Sequence, residues 1–334
     1  MMWFEKLVGF KESNPEQVRK NIEIVGNQLI SKVNNHAFVF GSLETPSLEE
    51  LRNESDLINK YNSEIKISEI VGNIQNIHQE ASNKNALIQV ASQFNLLEMV
   101  SPDSTPEEGV GIYEYDGTQG PACAIACGAG TIFRNYFVNV DGQIGQTSTK
   151  QIDCLHDIGI ELENEKHKHW EMKNGYALAT RKGLTSITQQ IKSKSGNDFE
   201  SLKGKLRIGV QWDSEVTLNK NKNPITQVYC SALPVSYSEI EIELWSEFAK
   251  MILEATYEAT FHIALKNYNR TGNNKVFLTL IGGGAFGNRY EWIFDAIRKS
   301  IDKFSKTPLD VKIVSYSASN PAINAFIDSL KHEI

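Results

Sequence analysis

The chain has 334 residues, 40% hydrophobic and 22% charged, enough to bury a large core. Its formal net charge of −7 excludes the broadly basic surface that non-specific nucleic-acid or anionic-membrane binding requires, while leaving room for a local phosphate pocket. No run of about 18 apolar residues suggests a membrane-spanning helix. The opening MMWFEKLVGFKE carries charge too early for a secretory leader. The four cysteines, Cys123, Cys127, Cys154 and Cys230, form no disulfide-framework pattern. The expected setting is a reducing cytosol, or a host cytosol if the protein is an exported effector.

In chain order, residues 1–65 read as a polar, helical N-terminal extension. Asn14-Pro15-Glu16 supplies a cap and a helix-start proline, and Ile22, Val25, Leu29 and Val33 follow at helical spacing. A second cap-then-helix pattern starts at Ser47. SEIVGNIQNI is a short strand-like segment, and NALIQVASQFN (85–95) is an apolar strand ending in amides. A Pro/Glu/Gly-rich loop spans Ser101 to Gly120, and Pro121 opens a helical stretch, PACAIACGAGTIFRNYFV.

Residues 141–205 are polar and read as an inserted segment of small strands and loops. Two strands follow, KLRIGVQW and TQVYCSALPV, and then a long helix carrying Leu244, Phe248, Ile252 and Tyr257 on one face. VFLTLI, a glycine loop, a helix, DVKIVSYS and a helix opened by Asn320-Pro321 complete the chain. Strands alternating with helices predict an α/β fold, a mixed central sheet with helices on both faces, over residues 66–334.

The glycine loop is the strongest local signal. Gly282, Gly284 and Gly287 satisfy G-x-G-x-x-G after a strand. A redox dinucleotide site also needs an acidic residue at the end of the next strand and further βα units. Here Asp310 stands at the wrong end of the next strand, and fewer than 50 residues follow Gly287. The loop's physical role survives: glycines let backbone amides approach closely, and the helix start near Asn288 favours a phosphate. The bland alternative is a tight strand-to-helix turn.

Five segments in this order resemble the macrodomain family: VGNIQNI (71–77), ALIQVASQFN (86–95), ITQVYCSALPV (225–235), LIGGGAFGN (280–288) and VKIVSYSASN (311–320). The likeness spans roughly residues 66–330, interrupted at 141–205. It implies ADP-ribose binding, with no cofactor and no metal. Asn73, beside Ile74, stands where an adenine-binding Asp is usual. Gln89, Ser92 and Asn95 would meet the distal ribose, which amide points inward being open. Gly282, Gly283, Gly284, Ala285, Phe286, Gly287 and Asn288 would wrap the diphosphate, and Tyr316 would touch the adenosine. Gln119 and Gly120 would form the opposite phosphate wall.

The usual glycine-rich first phosphate loop is missing, as is the Gly-Gly-Gln-Glu-Glu type signature of poly-ADP-ribose hydrolases. An acid-rich loop replaces it, carrying Glu98, Asp103, Glu107, Glu108, Glu114 and Asp116. This loop is similar to that of a divergent branch whose bacterial effector member removes ADP-ribose from arginine, including on modified ubiquitin. The resemblance implies an ADP-ribosylhydrolase acting on mono-ADP-ribosylated protein, arginine-linked, and a monomer. Glycosidic cleavage passes through an oxocarbenium-like state that carboxylates stabilise or serve with protons. Glu98, Glu107 and Asp116 are the expected catalytic acids, with Glu108 the substitute for Glu107; solvated loop charges are the alternative. Competing readings are a non-cleaving ADP-ribose reader and an NAD-dependent oxidoreductase. The histidines of DCLHDIGIELENEKHKHW fit no standard zinc spacing.

Overall fold

A computed structural model of the protein describes residues 2–54, 58–218 and 222–331. Residues 55–57, within the second expected N-terminal helical stretch, lie outside the described residues.

The central sheet has seven strands: β1 (Ser42–Glu44), β2 (Lys66–Val71), β3 (Leu87–Ala91), β4 (Gly209–Glu215), β5 (Pro224–Cys230), β6 (Lys275–Leu278) and β7 (Asp310–Ser315), in the order β1-β4-β5-β3-β6-β7-β2. The run from β5 to β2 is parallel throughout, while β4 and β1 add antiparallel pairs at one edge. Strand β3 sits mid-sheet with Leu87, Ile88 and Val90 fully buried, as a strand covered on both faces requires; the buried Gln89 between them is hydrogen-bonded to Thr260.

One face is covered by α4 (Ile242–Thr271), α5 (Tyr290–Lys303) and α6 (Pro321–Lys331), with Phe294 of α5 stacked on Phe326 of α6 at 4.7 Å. The 30-residue α4 is buried through its middle on every side, so its apolar residues form no single stripe. The other face carries α1 (Ile74–Gln79), α2 (Gln119–Ala126) and α3 (Gly128–Tyr136). The chain breaks between α2 and α3 at Cys127, where the Gly128 amide donates to Thr217 Oγ1 at 3.0 Å. The result is a mixed α/β architecture with a central sheet flanked by helices.

The N-terminal residues are not the helical extension their spacing predicts. The helices Pro15–Asn21 and Leu48–Asn53 form, capped by Asn14 and by a Ser47–Glu50 capping box. Between them, Ile22–Val25, Gln28–Ser31 and Ala37–Val39 form a three-stranded antiparallel sheet. The overlooked signal was Gly26-Asn27 between β-branched runs, a hairpin pattern, with Gly26 at φ +59. Residues Ser42–Glu44 complete the edge of the central sheet. Trp3, Phe4 and Leu7 share a second core with Tyr113, Ala124 and Ile132, so this segment packs behind α2 and α3.

The inserted stretch is more helical than its polarity suggested. It holds helices at Arg181–Ser193 and Gly196–Gly204, the former with Leu184, Ile187 and Ile191 buried. It also holds a hairpin, Trp170–Lys173 with Tyr176–Ala179, whose turn is Asn174-Gly175, both at positive φ.

Candidate active site

The parallel strands β2, β3, β5, β6 and β7 end at one edge of the sheet, where open α/β sheets place their ligands. A cleft in two connected halves lies there, with Asp116, Thr118, Gln119 and Thr279 lining both. The near half, about 290 Å³, lies between the end of β3, the loop carrying Glu98, the start of α2 and the glycine loop. The far half, about 770 Å³, extends over Asn73 and Ile74 after β2 and Tyr316 after β7.

The glycine loop forms one wall. Inside it, the Gly283 amide donates to Leu280 O, the Gly287 amide to Gly284 O and the Asn288 amide to Gly282 O. The amides of Gly282, Gly284, Ala285 and Phe286 have no partner among the described residues, and all four residues line the near half. Such a run of free amides is a concave anion site. Gly282 and Gly287 sit at φ +75 and +71, and a Cβ on Gly287 would lie 1.7 Å from Ser236 Oγ. The Tyr257 hydroxyl anchors the loop's root, accepting from the Ile281 amide at 2.9 Å and donating to Thr279 O at 2.7 Å.

The opposite wall is the start of α2. Thr118 provides no side-chain cap, so the first-turn amides lack an acceptor where Gln119 and Gly120 line the cleft. The Gln119 side chain is pinned to the end of β3, accepting from the Ala91 amide at 2.9 Å and donating to Gln89 O at 2.8 Å. Gly120 has no space for a side chain: a Cβ would lie 2.0 Å from Ala91 O and 2.3 Å from a Glu98 oxygen.

Glu98 lines the near half. Its side chain is buried, the residue 2% exposed, and Oε1 has no hydrogen-bond partner among the described residues. Burial pushes its carboxyl well above the usual carboxylate range, and the Asp116 charge pushes the same way. The Arg134 guanidinium opposes this without prevailing. Arg134 is itself buried against the Tyr229 ring at 3.7 Å, bonded to Leu96 O, Gln211 Oε1 and Thr131 Oγ1. A carboxyl shifted this way keeps its proton to higher pH, which is the direction a proton donor requires. Asp116 is half-buried at the junction of the two halves, its Oδ1 accepting from the Thr118 amide at 2.9 Å.

Several expected site residues are placed elsewhere. Glu107 lines neither half; its carboxylate accepts from the Ser148 amide and hydroxyl, tying down the 147–150 turn. Glu108 caps its own short turn at Thr105. Gln89 points into the sheet's other face, donating to Thr260 Oγ1 at 2.9 Å. Asn95 braces the strand-end loop, donating to Gln151 Oε1 and accepting from the Leu97 amide. Of the three polar groups expected near the distal ribose, Ser92 alone lines the cleft. Asn288 is buried, and its side-chain amide donates to Leu233 O; the following helix begins only at Tyr290. Gly283 and Gly287 shape the loop without lining the cleft.

Asn73 caps α1 by accepting from the Gln75 amide and, with Ile74 and the 75% exposed Tyr316, lines the far half. Among the aromatics near the strand ends, Trp212 and Tyr229 are core, and Tyr237 lines the near half.

The cleft also gathers Gln93, Met99, Tyr176, Thr279, Trp3 and Lys6, which the sequence did not single out. Tyr176 arrives on the inserted hairpin and donates to Met99 O at 2.6 Å; its Asn-Gly turn was the available signal. Among the described residues, Lys6 is the one cationic side chain lining either half.

No family model and no curated protein matches the chain. Among solved structures it is similar to poly(ADP-ribose) glycohydrolase from Deinococcus radiodurans in complex with ADP-ribose, at 8% identity over 88% of this chain and 96% of that one, with a TM-score of 0.45. It is also similar to poly(ADP-ribose) glycohydrolase from Thermomonospora curvata, at 8% identity over 96% of each chain, with a TM-score of 0.42. Among the described residues, no helix is long and apolar enough to cross a membrane.

Proposed function

We propose that the protein is an ADP-ribosylhydrolase that cleaves the N-glycosidic bond of mono-ADP-ribosylated protein, with arginine as the linked residue. The observation that carries this reading is the buried Glu98 carboxyl, with Oε1 unpartnered among the described residues, set in the same half-cleft as four free loop amides. In this reading the diphosphate lies between the amides of Gly282 to Phe286 and the first turn of α2. The adenosine occupies the far half, near Asn73, Ile74 and Tyr316. The distal ribose then reaches Ser92, Gln93 and Glu98.

The chemistry follows from these positions. The C1″–N bond breaks with its electron pair going to the guanidine nitrogen. Glu98 gives its proton to that nitrogen, and arginine departs as guanidinium. Water bonds to C1″ while Asp116 accepts its proton and offsets the positive charge on the ribose. Carboxylates at this end of the cleft also suit a cationic leaving group.

The test is hydrolysis of arginine-, glutamate- and serine-linked ADP-ribosyl protein, with calorimetric titration of free ADP-ribose and NADH. Release of ADP-ribose from the arginine-linked substrate is the expected result. Release from another linkage alone removes the arginine assignment. ADP-ribose binding without any release leaves a reader, and no ADP-ribose binding removes the reading altogether.

A further inference from the structure

The segment that lies outside the macrodomain resemblance reaches the active-site loop chiefly through the half-buried carboxylate of Glu12. Glu12 accepts from the Val110 amide at 3.1 Å through Oε1 and from the Gly111 amide at 2.6 Å through Oε2. The Tyr136 hydroxyl donates to Oε1 at 2.6 Å. The fit is close: a Cβ on Gly109 or Gly111 would lie 2.6 or 2.7 Å from the Glu12 carboxylate. The same segment holds the loop twice more, through Trp3 Nε1 to Val110 O and through the Trp3 amide to Glu114 Oε2.

What the clamp holds is the turn Gly111–Tyr115, which starts at the clamped amides. Its Tyr113 hydroxyl accepts from the Glu98 amide at 3.0 Å. The Asp116 amide donates to Tyr113 O at 3.2 Å. One turn thus sets the backbone of the proposed acid and the position of the proposed base.

We propose that Glu12 is a positioning residue for the active site, holding Glu98 and Asp116 in register through the 110–116 turn; this rests on the hydrolase reading above. A carboxylate suits the task because both oxygens accept. Glutamine at this position would turn an NH₂ group toward a backbone N–H or a hydroxyl donor.

The experiment uses the full chain with Glu12→Gln and the milder Tyr136→Phe. Glu12→Gln should lower kcat about ten- to a hundredfold through misplacement of the acid and base. KM and the ADP-ribose Kd should stay near wild type, and the pH at which kcat falls off, which reports Glu98, should move. Tyr136→Phe should shift the same quantities in the same direction by less. Amide hydrogen exchange should speed up at residues 98 and 110–116 in both variants. Unchanged exchange there, or a loss of kcat and ADP-ribose affinity together with no move in the pH profile, would overturn the positioning role. If wild-type protein shows no turnover, the hydrolase reading fails on its own, and exchange at residues 98 and 110–116 alone decides whether Glu12 holds the turn.

Discussion

The glycine loop at 280–288 and the acidic loop at 96–118 line the same cleft and are built in opposite ways. The glycine loop folds on itself, its three internal amide bonds closing within nine residues and leaving the amides of Gly282, Gly284, Ala285 and Phe286 without a partner among the described residues. The acidic loop also forms short turns of its own, at Pro106–Glu108 and Gly111–Tyr115, but is held in place from afar. Glu12 reaches it across 98 residues of sequence, Tyr176 holds Met99 O from the inserted hairpin, and Arg134 holds Leu96 O from α3. Chemistry that needs a fixed backbone cradle uses a short motif. Burying a carboxyl, by contrast, takes distant parts of the chain that exclude water from it.

The largest test of this contrast falls on the acidic loop. Glu98→Gln should lower turnover by roughly 10²–10⁴-fold, the usual worth of a positioned proton donor, while calorimetry finds ADP-ribose affinity nearly unchanged. Turnover close to wild type would remove Glu98 from the chemistry. The raised carboxyl also has a sign for stability. Its contribution is present below the ordinary value near 4.5 and is lost as pH rises toward the folded value. Thermal melts of Glu98→Gln should therefore gain on wild type as pH rises, and a variant that instead loses ground to wild type as pH rises would show that the folded protein holds Glu98 ionised.

On the glycine loop, Gly287→Ala must place a Cβ against Ser236 at positive φ, whereas a Cβ on Gly284 meets open space. Gly287→Ala should cost roughly 1–3 kcal/mol, as strained left-handed backbone does. Differential melts should show a lowered Tm for Gly287→Ala and an unchanged one for Gly284→Ala. Equal Tm values would mean that the loop is not held in the shape described. The smallest effect belongs to Glu107→Ala, which should leave turnover near wild type and stability within about 0.5 kcal/mol, as surface changes do. A collapse in kcat would return Glu107 to the catalytic set.

Where the sequence misled, competing local periods explain it. Ile22, Val25, Leu29 and Val33 fit a helix, yet Gly26-Asn27 turns the chain and the run pairs as strands. Gln89, Asn95 and Asn288 all carry amides near the right strand or loop ends, but each spends its side chain on internal partners. Along a strand, successive side chains point to opposite faces, and sequence alone does not say which face the ligand shares. Glu107 looked equivalent to Glu98 because both sit in an acid-rich stretch; Ser148, 41 residues later, captures one, and burial isolates the other.

By itself the sequence determined the order of the parallel strands' apolar runs, the caps at Asn14 and Ser47, and the glycine loop. Each depends on backbone geometry or side-chain period within a few residues. The tertiary structure decided which carboxyl is buried and shifted upward, which amides stay free, and that the N-terminal segment braces the acidic loop. Those properties come from desolvation and long-range contact, and both exist only once segments far apart in sequence have packed together.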